Sequence, residues 1–150
     1  MQTKERSRLM PLLPIVLLMC ILTLATTFSS APKAHADGMS CQVTYTVLLE
    51  WTGSPGGASV MVKLKNTGTT PINGWTLSFA FPNGQVILYS FNGEPFTQTG
   101  ANVTFTNASF NASIQPGFDL IYSPGFVANW SGVNHPPTSF TLNGVLCSNG

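Results

Sequence analysis

Apolar and polar positions alternate along most of the chain beyond residue 40. Val43, Tyr45, Val47 and Leu49 share one parity, with Gln42, Thr44, Thr46 and Leu48 on the other. Val60, Val62 and Leu64 alternate with Ser59, Met61, Lys63 and Lys65. Trp75, Leu77, Phe79 and Phe81 alternate with Thr76, Ser78 and Ala80. Successive side chains of a strand point to opposite sides of the pleat, so a period of two with one apolar face predicts half-buried strands. Residues 85–91, 102–107, 118–122 and 139–145 are further strand candidates. Turn chemistry separates them: Gly53-Ser54-Pro55-Gly56-Gly57, Asn66-Thr67-Gly68, Pro71-Ile72-Asn73-Gly74, Pro82-Asn83-Gly84, Asn92-Gly93, Gln115-Pro116-Gly117 and Pro136-Pro137. No segment sustains a helical period. Many short strands at this spacing predict an all-β fold, an antiparallel β-sandwich of jelly-roll or immunoglobulin-like kind.

The first 36 residues follow another pattern. Lys4, Arg6 and Arg8 precede an apolar run from about Leu9 to Ala25, and small residues lead to Ala34-His35-Ala36. This is the layout of a secretory signal peptide with cleavage after Ala36, leaving residues 37–150 as one secreted, extracellular module. Pro11 and Pro14 interrupt the apolar run, which falls short of the ~20 residues a membrane span needs. Beyond the leader two cysteines remain, Cys41 and Cys147, one at each end of the module. An even count in an exported chain implies a disulfide. Closing so long a loop stabilises a fold by up to ~4–5 kcal/mol in the chain-entropy model.

Composition narrows the function. Only 7% of residues are charged, against roughly 25% in an average soluble protein. Nothing in the charge pattern offers a footprint for nucleic acid or an anionic membrane. A glycosidase needs two carboxylates across a cleft. The module offers Asp37, Glu50, Glu94 and Asp119, none in a catalytic motif. A copper-dependent polysaccharide monooxygenase would need His35 at a mature N-terminus and His135 as partner ligand, but cleavage after Ala34 places Pro32 where a small residue is preferred. The expectation is a protein with no catalytic activity and no cofactor. N-x-[ST] sequons occur at Asn102, Asn107, Asn111 and Asn129.

The motifs between the two cysteines, taken in order, are similar to a known family. They are Cys41-Gln42-Val43-Thr44-Tyr45, Trp51 near a glycine, Lys65-Asn66-Thr67-Gly68, Asn73-Gly74-Trp75, Phe81-Pro82-Asn83-Gly84-Gln85, Ser109-Phe110-Asn111 and Phe140-Thr141-Leu142-Asn143-Gly144. The chain from Cys41 to Cys147 resembles the family 2 carbohydrate-binding modules of bacterial cellulases, xylanases and chitinases. The resemblance implies a jelly-roll-like sandwich tied by Cys41–Cys147, working as a monomer. It also implies binding of an insoluble polysaccharide, cellulose or a related glucan with chitin or xylan as alternatives, through a row of exposed aromatic rings. Pyranose rings present axial C–H groups on their flat faces, and an aromatic face covers that apolar surface well.

Carried over by motif, the platform falls on Trp51, Phe91 and Phe110, where the family usually has three tryptophans. A phenyl ring covers less sugar than an indole, at a loss of roughly 1 kcal/mol per exchange. Positions expected to offer amides to sugar hydroxyls are Leu49, Met61, Tyr89 and Ile121, so this face is more apolar than the family pattern. Met61 and Tyr89 join the candidate site. Trp75 shares the parity of Leu77 and Phe79 and is expected in the core. Strict alternation points Trp51 inward, so exposure requires a bulge or turn near Glu50. Trp130 is expected to pack at an edge or loop. A sandwich of the same fold whose face has drifted to a structural or adhesive role is the alternative reading.

Overall fold

A computed structural model describes residues 38–150, and the leader read at residues 1–36, with Asp37, lies outside the described residues. The strands, in chain order, are β1 (Cys41–Trp51), β2 (Gly56–Asn66), β3 (Ile72–Asn73), β4 (Thr76–Ala80), β5 (Val86–Phe91), β6 (Phe96–Thr99), β7 (Asn102–Thr106), β8 (Ser113–Ile114), β9 (Gly125–Trp130), β10 (Phe140–Leu142), β11 (Val145–Leu146) and β12 (Ser148–Asn149). One five-stranded sheet runs β12-β1-β2-β9-β5, a second runs β11-β10-β4-β7-β6, and β3 pairs with β8. All ladders are antiparallel except the short parallel pair of β1 with β12. The fold is an all-β sandwich.

The core is the apolar parity of each strand. Val43, Val60, Val62 and Leu64 from the first sheet meet Leu77, Phe79, Val103, Phe105, Phe140 and Leu142 from the second, all buried. Rings fill the centre: Phe79, Phe105 and Phe126 stack at 5.9–6.1 Å between centroids. Tyr45 lies between Phe126 and Phe140, where burial first and then the charge of Glu50 hold its phenol well above its ordinary pKa. Trp75 is fully buried and its Nε1 donates to the carbonyl of Asn111 at 2.8 Å.

Two strand expectations are corrected. Residues 118–122 form no named strand; only Asp119 bridges to Lys65. The strand there is β9, a few residues later, which pairs with both β2 and β5. Gly125 to Ala128 are buried on both faces, so β9 shows no alternation to read. Residues 139–145 contain a reversal: Asn143 and Gly144 take positive φ (51° and 79°) and turn β10 into β11.

Cys41 and Cys147 are disulfide-bonded, 106 positions apart. Cys147 sits between β11 of one sheet and β12 of the other. The bond therefore fastens the first strand at the point where the chain's end crosses between layers.

Candidate functional site

Antiparallel partners share a face, so the register shows what the outer side of the first sheet carries. Across β1, β2, β9 and β5 three ranks face outward. They are Trp51–Gly57–Asn129–Val86, Leu49–Ser59–Val127–Tyr89, and Thr46–Met61–Gly125–Phe91. Two of the predicted rings and both additional candidates, Tyr89 and Met61, are thus on one surface.

Two bulges put them there. In β1 the register shifts between Val47 and Leu49. Val43, Tyr45 and Val47 pair with core residues of β2. Beyond the shift Leu49 and Trp51 pair with Ser59 and Gly57 on the outer side. Leu49, read by strict alternation as inward, is 62% exposed. In β5 a matching shift lies between Ile87 and Tyr89. Ile87 stays buried, while Tyr89 and Phe91 take the outer parity. An extra residue on one strand reverses the facing of all that follow it.

Two glycines set how the rings lie. A Cβ on Gly57 would fall 2.0 Å from Trp51 Cζ2 and 2.2 Å from its Cε2. A Cβ on Gly125 would fall 2.2 Å from Phe91 Cζ. Each ring lies across the bare backbone of the neighbouring strand, where no side chain stands in its way. Trp51 stays 41% exposed and Phe91 is half-buried. Met61 is also half-buried, less open than its parity with the lysines suggested.

Phe110 comes from the loop between β7 and β8 and is 62% exposed. Asn111, next to it and buried, pins that loop. Its Nδ2 donates to the carbonyl of Asn92 at 2.6 Å and to that of Tyr122 at 2.9 Å. Asn92 follows Phe91, so one side chain couples the anchorage of Phe91 and Phe110. The amide's Oδ1 is buried without a partner, a cost of about 1–3 kcal/mol that the two bonds and the Trp75 contact must offset.

At the Trp51 end Glu50 accepts a hydrogen bond from Asn134 Nδ2 at 3.0 Å. Buried Gln85 donates to Asn134 Oδ1 and to the carbonyl of His135. This fixes the 131–137 loop beside Glu50. His135 pairs through Nδ1 with Asn83 Oδ1 at 3.0 Å, and His35 lies outside the described residues. Trp130 faces inward over Gly56 and its Nε1 is buried without a partner. Ile121 is 74% exposed. Sequence reasoning missed Gly57 and Gly125 as ring beds, and Asn111 as the clamp. Gly57 was visible only as part of a turn segment, Gly125 carried no signal, and Asn111 was visible only as part of a family motif.

The family model described as "cellulose binding domain" matches residues 41–147. The chain is 40% identical to endoglucanase B of Cellulomonas fimi over 121 residues, 81% of this chain and 11% of that protein. It is 38% identical to exoglucanase A of the same organism over 126 residues, 84% of this chain and 14% of that protein. The chain therefore spans only a small part of the length of these relatives. The solution structure of a chitin-binding domain from Streptomyces coelicolor is similar at 30% identity and a TM-score of 0.53, covering 72% of this chain and 94% of that one. By its motifs, its sandwich and the match between its two cysteines, the chain belongs to the cellulose-binding domain family, family 2 of the carbohydrate-binding modules.

Proposed function

We propose that residues 37–150 form an extracellular module without catalytic activity that binds an insoluble glucan, with cellulose as the first choice. The observation that carries this reading is the pair of rings laid on Gly57 and Gly125 of one sheet face. Met61, the β2 partner of Gly125, is four positions along β2 from Gly57, so the two beds are separated by about 13 Å along the strand. That spacing suits rings that meet different sugars of one extended chain. Each ring covering roughly 100 Å² of sugar C–H surface contributes about 2–3 kcal/mol, before association costs. Phe91 and Phe110 give less than tryptophans would, so affinity in the micromolar range or weaker is expected. Tyr89 and Met61 widen the apolar surface between the rings. The leader and the disulfide support an extracellular site of action, and the module acts as a monomer.

Depletion from solution by microcrystalline cellulose, chitin and insoluble xylan tests the reading. Wild type is removed by cellulose, and Trp51→Ala weakens its binding by about tenfold or more. The similarity to the Streptomyces coelicolor domain favours chitin as the second polymer to try. If no polymer removes the wild type, the structural or adhesive reading of the same face takes its place.

A further inference from the structure

Beyond the predicted rings, the exposed aromatic surface continues at Tyr122. We infer that Tyr122 is an additional sugar-contacting residue, forming with Phe110 an inside corner that holds a single glucan chain at one end of the binding face. The inference rests on the reading of that face as a glycan-binding surface.

Tyr122 adopts φ 58°, the left-handed region that a bulky aromatic residue rarely enters. The ring is not bought into place by core packing, because the residue is 64% exposed. The backbone is held from below instead. Asn111 Nδ2 donates to the Tyr122 carbonyl at 2.9 Å, Asn92 Nδ2 donates to the Ser123 carbonyl at 3.3 Å, and Ser123 Oγ donates to the Leu120 carbonyl at 3.0 Å. A strained residue whose carbonyl is held by a buried amide while its ring stands in solvent is the arrangement expected where the strain serves a site.

The same Asn111 amide bonds the residue after Phe91, and Tyr122 lies three positions before Gly125, the bed of Phe91. The corner is thus continuous with the platform. Its geometry differs from the platform's. Phe110 and Tyr122 meet edge to face, with centroids 5.9 Å apart and planes at 81°. Two rings at right angles cannot both lie under one flat crystal surface. They fit one chain, whose sugar stacks on one ring while its edge runs along the other. A cavity of about 380 Å³ opens there, also lined by Phe118, Ile121, Gln115 and Asp119. The last two place an amide and a carboxylate within the same cavity as the rings, where sugar hydroxyls need partners.

Calorimetric titration with soluble cellohexaose tests this, beside cellulose depletion and thermal unfolding. Tyr122→Gly removes the ring and suits the positive φ, so its Tm is expected to equal or exceed that of wild type. Its cellohexaose affinity is expected to fall about fivefold, while Tyr122→Phe stays within about twofold of wild type. If Tyr122→Gly binds cellohexaose like wild type while Trp51→Ala weakens binding, the inference fails and the platform reading stands. A fall in Tm accompanying the loss of binding also overturns it, since a packing role then suffices. A wild type that binds neither cellohexaose nor any polymer overturns both readings.

Discussion

At Gly57 the missing side chain carries the argument. Its Cα would support a Cβ in the volume that the Trp51 indole fills, and its φ is not positive, so alanine is conformationally allowed there. The three atoms nearest to a Cβ of Gly57→Ala all belong to the Trp51 ring. The variant is therefore expected to fold and to lose most of the ring contact, weakening cellulose depletion by about tenfold, as Trp51→Ala does. Circular dichroism showing a native fold, with unchanged cellulose binding, would count against the bed. Gly125 is a harsher site, because a Cβ would also come within 2.7 Å of the Val60 carbonyl. Backbone cannot move aside as a ring can. Asn111 shows the same economy at a polar position, where both amide hydrogens are committed to carbonyls beside ring-bearing residues.

At the level of elements, the bulges in β1 and β5 decide which residues face out. Leu48 is the unpaired residue between Val47, opposite Val60, and Leu49, opposite Ser59. Removing it would make the ladder regular without changing which partners Leu49, Glu50 and Trp51 face. Deletion of Leu48 is therefore expected to fold and to keep cellulose binding within about twofold of wild type. Depletion by cellulose checks the parity argument. The alternation of Val43, Tyr45 and Val47 announced β1, yet no local signal marked where the parity would break. β9 was missed for the opposite reason: with neighbours on both edges and Phe126 and Val127 both buried, it has no wet face to create a pattern.

Across the whole molecule the two outer faces differ in kind. Thr76, Ser78, Thr104, Thr106, Thr97 and Thr141 share the outer parity of the second sheet, a hydroxyl surface with no ring to stack. Leu49, Trp51 and Tyr89 mark the first sheet. Among the described sheet residues, the exposed rings are thus on one side. The disulfide holds the two layers at their seam. Reduction, or the double change Cys41→Ser with Cys147→Ser, is expected to lower unfolding free energy by about 4 kcal/mol in urea titration. A change under about 1 kcal/mol would mean that the ends are held mainly by the β1–β12 and β10–β11 ladders.

The all-β class, the core parity of β2 and β4, and the pairing of the terminal cysteines were all determined by the linear order of residues, because each depends on local period or on composition. The family motifs added Trp51, Phe91 and Phe110 as candidates for one surface. Only the tertiary structure decided how those rings are held. Gly57 and Gly125 become beds solely because the register sets them opposite Trp51 and Phe91, and Tyr122 meets Phe110 where the Asn111 amide holds the Tyr122 carbonyl. Periodicity records whether a position is wet or dry. It does not record which strand's bare backbone lies beside it, and that is settled by pairing between residues far apart in the chain.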